Sequence, residues 1–110
     1  METKSHFINY NMTKRKFLDI KGKPLNGVQI SRDKTTVYRF RDGFLDGDVY
    51  DMDGRFITVK PAVEAPGHIE YWRKNMIHRD NDEAAVISEG FTVKEYWTNG
   101  IQTSVEKQEG

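Results

Sequence analysis

Apolar and polar residues alternate over short runs along this chain, and each run closes on a turn-forming pair. Lys16 to Ile20 places Phe17 and Asp19 on one side and Leu18 and Ile20 on the other, so the stretch Met12–Ile20 reads as a strand. Val28-Gln29-Ile30-Ser31 alternates in the same way. Thr35 to Phe40 is rich in β-branched and aromatic residues, as strands are. Between them Arg32-Asp33-Lys34 makes a polar hairpin tip. Asp42-Gly43, Asp46-Gly47 and Asp53-Gly54 are hairpin signals, separating Phe44-Leu45, Val49–Met52 and Arg55–Val59. In the second half His68–Trp72, Ala84–Ser88, Phe91–Trp97 and Ile101–Val105 read as strands, joined at Lys74-Asn75, Glu89-Gly90 and Asn99-Gly100. Glu106–Gly110 reads as a polar tail that frays.

One stretch occurs twice. Glu70-Tyr71-Trp72 returns as Glu95-Tyr96-Trp97, 25 residues later, and each copy runs two polar residues on into a position that tolerates positive φ, Asn75 or Gly100. No window carries a 3.6-residue apolar period. The predicted fold is all-β: an antiparallel meander of short hairpin repeats forming one curled, twisted sheet. Residues 1–110 form a single domain. Its first meander half spans 12–60. A Pro-containing connection, 61–67, follows because two close prolines do not suit a central strand, and 68–105 form the second half.

Composition narrows the class. Only 36% of the residues are apolar against 31% charged, which suits a thin sheet better than a multilayered enzyme. The absence of cysteine excludes disulfides and thiolate metal sites. No apolar run approaches the roughly 18 residues of a membrane helix, and Met1–Asn11 lacks the apolar core of a signal peptide, so the expected location is cytoplasmic. The net charge of zero conceals a polarity: residues 1–41 carry ten Lys/Arg against three acids, leaving +7 there and −7 in the remainder. The acidic part begins with Asp42, Asp46, Asp48, Asp51 and Asp53. Such polarity suits a molecule whose basic end meets a polyanion or whose acidic end imitates one.

The units Tyr38-Arg39-Phe40-Arg41-Asp42-Gly43-Phe44-Leu45-Asp46-Gly47 and Tyr50-Asp51-Met52-Asp53-Gly54-Arg55-Phe56 resemble MORN-type repeats and the related antitoxin-like, YwqK-type hairpin repeats. The second half is similar to a pattern in phage and bacterial proteins, in which a Trp/Tyr pair and Asn-Gly precede His-Arg-Asp and a Pro-Ala-Val-Ile strand. Tyr71-Trp72, Ile77-His78-Arg79-Asp80 and Ala84-Ala85-Val86-Ile87 carry that similarity. Asn75 replaces the turn glycine, Ala84 replaces the proline, and the last copy lacks His-Arg. The resemblance covers residues 17–105 and implies a binding or scaffolding role without a catalytic residue.

Several constellations suggest chemistry. His78-Arg79-Asp80-Asn81-Asp82 gathers a base, a cation and carboxylates, but no Cys or elbow Ser accompanies it, so it reads as a self-bonded polar loop. The Asp46-to-Gly54 acids lack the closing Glu of a calcium loop. His6, His68 and His78 are too widely spaced to argue for zinc. No metal or other cofactor is expected. Tyr71, Trp72, Tyr96 and Trp97 are candidate interface anchors, with one of each pair directed to the core. Lys14, Arg15, Lys16, Lys21 and Lys23 are candidate nucleic-acid contacts.

These readings converge on a non-enzymatic protein that binds a protein or ribonucleoprotein directly. The kind expected is a small phage or mobile-element inhibitor (anti-defence, blocking a nuclease complex) or an antitoxin-like protein. The five aspartates would face a basic groove and the aromatic pairs would anchor it, with nucleic acid reached through the partner. A self-assembling β-repeat module or homodimer, and an RNA-binding module using the basic half, are the alternatives.

Overall fold

The computed structural model describes residues 9–108. Within them every regular element is a strand: β1 (Asn9–Asn11), β2 (Lys16–Leu18), β3 (Gly27–Ile30), β4 (Val37–Arg41), β5 (Phe44–Leu45), β6 (Asp48–Tyr50), β7 (Phe56–Val59), β8 (Val63–Ala65), β9 (His68–Glu70), β10 (Trp72–Arg73), β11 (Met76–Ile77), β12 (Val86–Ser88), β13 (Val93–Thr98) and β14 (Ile101–Lys107). All pairings are antiparallel.

The principal sheet has the order β14-β13-β12-β9-β8-β4-β3, with β5 attached to β4. It does not close, and β14 and β3 are its edges. Three two-stranded ribbons, β1–β2, β6–β7 and β10–β11, stand beside it. The all-β antiparallel meander is therefore present, as one eight-stranded sheet with ribbons rather than one continuous sheet.

Most turns lie where the sequence placed them, but Asp46-Gly47 forms none, since β5 pairs with β4 and β6 with β7. Asp42-Gly43, Lys74-Asn75 and Asn99-Gly100 all have two consecutive positive φ angles, 51° and 82°, 50° and 66°, and 48° and 82°. Two residues with φ above zero make the hairpin turn whose twist matches that of the flanking strands. The strand expected over Met12–Ile20 is shorter, because Met12–Arg15 turn from β1 into β2 and only Lys16–Leu18 pair. β14 runs on through Lys107, past the expected end at Val105, and Gln108 still donates to the Thr92 carbonyl at 2.8 Å. Residues 109–110 of the expected tail, and residues 1–8, which hold His6 and most of the stretch read for a signal peptide, lie outside the described residues.

The stretch 61–67 is corrected. It holds β8, a central strand paired with β4 on one side and β9 on the other. Pro61 and Pro66 flank Val63-Glu64-Ala65 without entering it, so the missing proline N–H groups break no rung of the ladder.

The core is thin. The buried apolar residues are Leu18, Leu25, Phe40, Ala62, Ala84, Ala85, Val86 and Val93. Five of the eight are Ala or Val, so the core has little apolar volume. At one end Tyr10, Phe17 and Phe40 add a ladder of ring contacts, with centroids 4.9 and 5.2 Å apart.

Candidate functional site

The Asp42-Gly43, Lys74-Asn75 and Asn99-Gly100 turns, among several with consecutive positive φ, are stacked by one repeated device. Leu25-Asn26, Leu45-Asp46 and Ile77-His78 each pair an apolar residue with a polar one. The carbonyl of the apolar residue accepts the N–H of the second residue of the next turn: Leu25 from Gly43 at 2.7 Å, Leu45 from Asn75 at 3.0 Å and Ile77 from Gly100 at 2.9 Å. The polar side chain accepts the N–H of the first: Asn26 Oδ1 from Asp42 at 2.7 Å, Asp46 Oδ2 from Lys74 at 3.2 Å and His78 Nδ1 from Asn99 at 3.0 Å. Each hand-over satisfies two backbone donors, at about 1 kcal/mol net per bond.

The strands repeat in step. Arg39 N–H donates to the Ala62 carbonyl and Ala62 N–H to Glu70; Tyr71 donates to Ala85 and Ala85 to Glu95. Pro61-Ala62-Val63 thus corresponds to Ala84-Ala85-Val86. The duplicated Glu-Tyr-Trp segment keeps its local bond in both copies: Trp72 Nε1 donates to Glu70 Oε1 at 2.7 Å, and Trp97 Nε1 to Glu95 Oε1 at 2.8 Å. Residues two apart on a strand share a face, which is why the acid and the indole meet.

Between the second and third turns lies an ionic cluster, buried at Asp48 and His78 and open at Asp80. Arg73 donates from Nε to Asp48 Oδ2 at 2.6 Å and from Nη2 to Asp80 Oδ2 at 3.0 Å. His78 Nδ1 is an acceptor, so its proton sits on Nε2, which donates to Asp80 Oδ1 at 2.7 Å. Two donors thus converge on Asp80. The His78 bond, then the Arg73 bond, holds its carboxyl below the usual carboxylate range. The same carboxylates raise Arg73, Asp48 first. Asp46 Oδ1 also accepts the Asp48 N–H at 2.9 Å, and Arg41 donates to the Asp48 carbonyl.

This geometry corrects the acidic surface. Asp46 and Asp48 are only 5% and 6% exposed and are bonded inward, so they face no partner. Their Asp-x-Asp spacing reads as a solvated turn, but Gly47 between them donates to the Trp72 carbonyl and draws both side chains under the next unit. Asp42 is exposed and pairs with Lys16 at 3.0 Å. Asp51 and Asp53 remain exposed, and Asp51 Oδ1 accepts the Asp53 and Arg55 N–H groups.

The other candidate residues are dispersed. Tyr71, Trp72, Tyr96 and Trp97 are all half-buried rather than split between a buried and an exposed member. Arg79 lies 3.8 Å above the Tyr71 ring. The Tyr96 hydroxyl donates to Glu106 Oε1 at 2.7 Å, which raises the Tyr96 pKa. Lys14 and Arg15 lie before β2 and Lys21 and Lys23 after it, all exposed, so the basic cluster is divided between two turns, with Lys16 held by Asp42. His78-Arg79-Asp80 behaves as a self-bonded loop: Arg79 pairs with Glu83 at 2.8 Å, although Asp80 bonds side chains rather than local amides. Beside it lies an open polar cleft of about 500 Å³ between Asp80–Glu83 and the Tyr96–Glu106 face. Among the described residues no three His, Cys, Asp or Glu side chains converge as a metal site.

The β6–β7 hairpin is present where Asp53-Gly54 predicts one; the exposure of its apolar residues is the feature that the sequence did not show. Every residue from Tyr50 to Phe56 and on to Thr58 is exposed. Its apolar side chains are open to solvent: Met52 fully, Ile57 56%, Phe56 52% and Tyr50 42%. The ribbon is braced at its base, where Arg41 lies 4.7 Å above the Tyr50 ring, and Tyr50 meets Phe56 edge-on at 5.9 Å. A readable signal was the longer interval between turns: 32 residues from Asp42 to Lys74 against 25 from Lys74 to Asn99, the excess being this hairpin. Comparison with known proteins found no matching family model, no similar curated protein and no similar solved structure.

Proposed function

We propose that this chain is a non-enzymatic binding protein that engages another protein through the β6–β7 ribbon. On this reading it works as a small inhibitor, of the anti-defence or antitoxin-like kind, built on hairpin repeats. The observation that carries the reading is the run Tyr50–Thr58, where four large apolar side chains are exposed together on a braced hairpin. Exposed apolar clusters rimmed by polar residues mark interaction surfaces. Asp51 and Asp53 at the tip favour a partner whose apolar strip is bordered by Lys or Arg. The partner contact therefore moves from the five-aspartate surface to two of those aspartates and the apolar residues around them.

The test is capture of partners by the tagged chain from its source cells, with and without nuclease, using wild type and a Met52→Glu/Ile57→Glu variant. The expected result is a protein or ribonucleoprotein retained after nuclease, lost from the variant, with both chains melting alike. A partner held equally by the variant, or one lost on nuclease treatment, would overturn the reading; the second outcome would favour RNA binding through Lys14, Arg15, Lys21 and Lys23.

A further inference from the structure

β14 ends the sheet, and the internal repeats specify what its outer edge fits. Tyr96 pairs with Ser104, as Arg39 bonds Ala62 and Tyr71 bonds Ala85. Ser104-Val105 therefore stands where Ala62-Val63 and Ala85-Val86 stand in the two earlier units. A bulge at Thr103-Ser104, with the Thr103 hydroxyl on the Tyr96 carbonyl at 3.1 Å, replaces the loop that separates β11 from β12.

In both earlier units the outer edge of this strand receives a second strand. β9 lies on β8 with Glu70 opposite Val63, and β13 lies on β12 with Glu95 opposite Val86. In both, the alanine N–H also points to that glutamate's carbonyl, at 2.8 Å. The edge of β14 offers the same groups to solvent. Gln108 N–H bonds the Thr92 carbonyl just before β13, so by alternation Glu106 also faces inward, while Val105 and Lys107 turn their N–H and C=O outward. β14 is the longest strand, all seven of its residues are exposed, and it contains no proline to blunt the edge.

We propose that the outer edge of β14, from Ser104 to Lys107, is a docking site for an extended segment of a partner protein that carries an acid–aromatic–Trp sequence like Glu70-Tyr71-Trp72 and Glu95-Tyr96-Trp97. The segment adds antiparallel, with its acid opposite Val105 and its indole bonded to that acid. Backbone bonds supply the affinity, and the acid–indole pair fixes the register.

A fluorescein-labelled peptide with the sequence of residues 92–98 serves as the probe, titrated into the full chain. The expected result is saturable binding, weakened at least tenfold by Val105→Pro, with the melting temperature of the chain unchanged. Proline at this position removes only an outward N–H, so it spares the β13 ladder. In the wild-type chain, bound peptide should also slow exchange of the Val105 and Lys107 amides, a readout that needs no variant. Three results would overturn the proposal: no saturable binding, equal binding by Val105→Pro with unprotected edge amides, or a mass that doubles with concentration in wild type and not in Val105→Pro. The last would make the occupant a second copy of the chain.

Discussion

The units Asp42–Trp72 and Lys74–Trp97 share a backbone plan and differ in what they place between its fixed points. Both open on a positive-φ turn, both present an apolar–polar pair to the next turn, and both close on a Glu-Tyr-Trp. In the first unit the polar acceptor is Asp46, and in the second it is His78. Where the second has a short loop, Arg79–Glu83, the first inserts the β6–β7 ribbon. The hand-over thus requires an acceptor at a fixed place and is indifferent to its chemistry. The intervening segment is unconstrained by it, which is why an exposed apolar hairpin can occupy the site without disturbing the stack.

The largest effect is expected at Gly47. A Cβ there would collide with the Lys60 carbonyl, and Lys60 N–H bonds the Gly47 carbonyl in turn. Gly47→Ala should cost about 3 kcal/mol or more in urea melts, whereas Arg79, at the matching place, should tolerate Ala with a loss near 1 kcal/mol. Equal losses at the two sites would break the correspondence between the units.

Next comes Asp48→Ala, which leaves Arg73 without its buried partner. The expected loss is about 2–3 kcal/mol, reduced from the usual value for a broken buried pair because Arg73 can still reach Asp80. Asp80→Asn should cost less, since its side chain is 48% exposed. A double-mutant cycle over the two measures their coupling through Arg73, and strict additivity would show that the cluster does not act as one.

A smaller effect should appear with acid. The Asp80 carboxyl is held below the ordinary aspartate value of 3.8, so it contributes stability above that pH and loses it as pH falls through the lower folded value. The stability advantage of wild type over Asp80→Asn should be full at neutral pH, shrink below about 3.8 and vanish in stronger acid. An advantage that grew on acidification would reverse the assigned roles of His78 and Arg73.

The smallest is Met52→Glu, at a fully exposed position. Its melting temperature should match that of wild type while partner capture falls. A lowered melting temperature would mean that the ribbon packs on something in the folded chain.

The turns were legible in the sequence because Asp-Gly, Asn-Gly and Lys-Asn need unusual φ values that few residues supply. The repeat of Glu-Tyr-Trp was legible as well. β8 was not, because prolines at 61 and 66 suggest a break, although Pro61-Ala62-Val63 and Ala84-Ala85-Val86 align 23 residues apart. Burial of Asp46 and Asp48 was not legible either. Arg73 is 25 positions from Asp48, and only the stacking of one unit on the next brings them together. Arg41 and Arg73 each immediately precede a positive-φ turn, and that shared position was the available sign of a repeated cluster. The β6–β7 hairpin was legible from Asp53-Gly54, but its exposure was not, because alternation over Tyr50–Val59 resembles any half-buried hairpin and the sequence does not say whether a second layer covers it.

In all three hand-overs the turn's two N–H groups are held by the unit before it; only the second adds a bond the other way, from Leu45 N–H to Asn75 Oδ1 at 2.7 Å. Loss of order therefore has a direction. When the Asn99-Gly100 turn lets go, Ile77 and His78 lose a donor, but the Lys74-Asn75 turn keeps both of its acceptors. The chain should unzip from β14 towards β3, with the Gly100 amide exchanging first, Asn75 next and Gly43 last. The β6–β7 ribbon is rooted between the Asp42-Gly43 and Lys74-Asn75 turns, so it should outlast the fraying of the last hairpin.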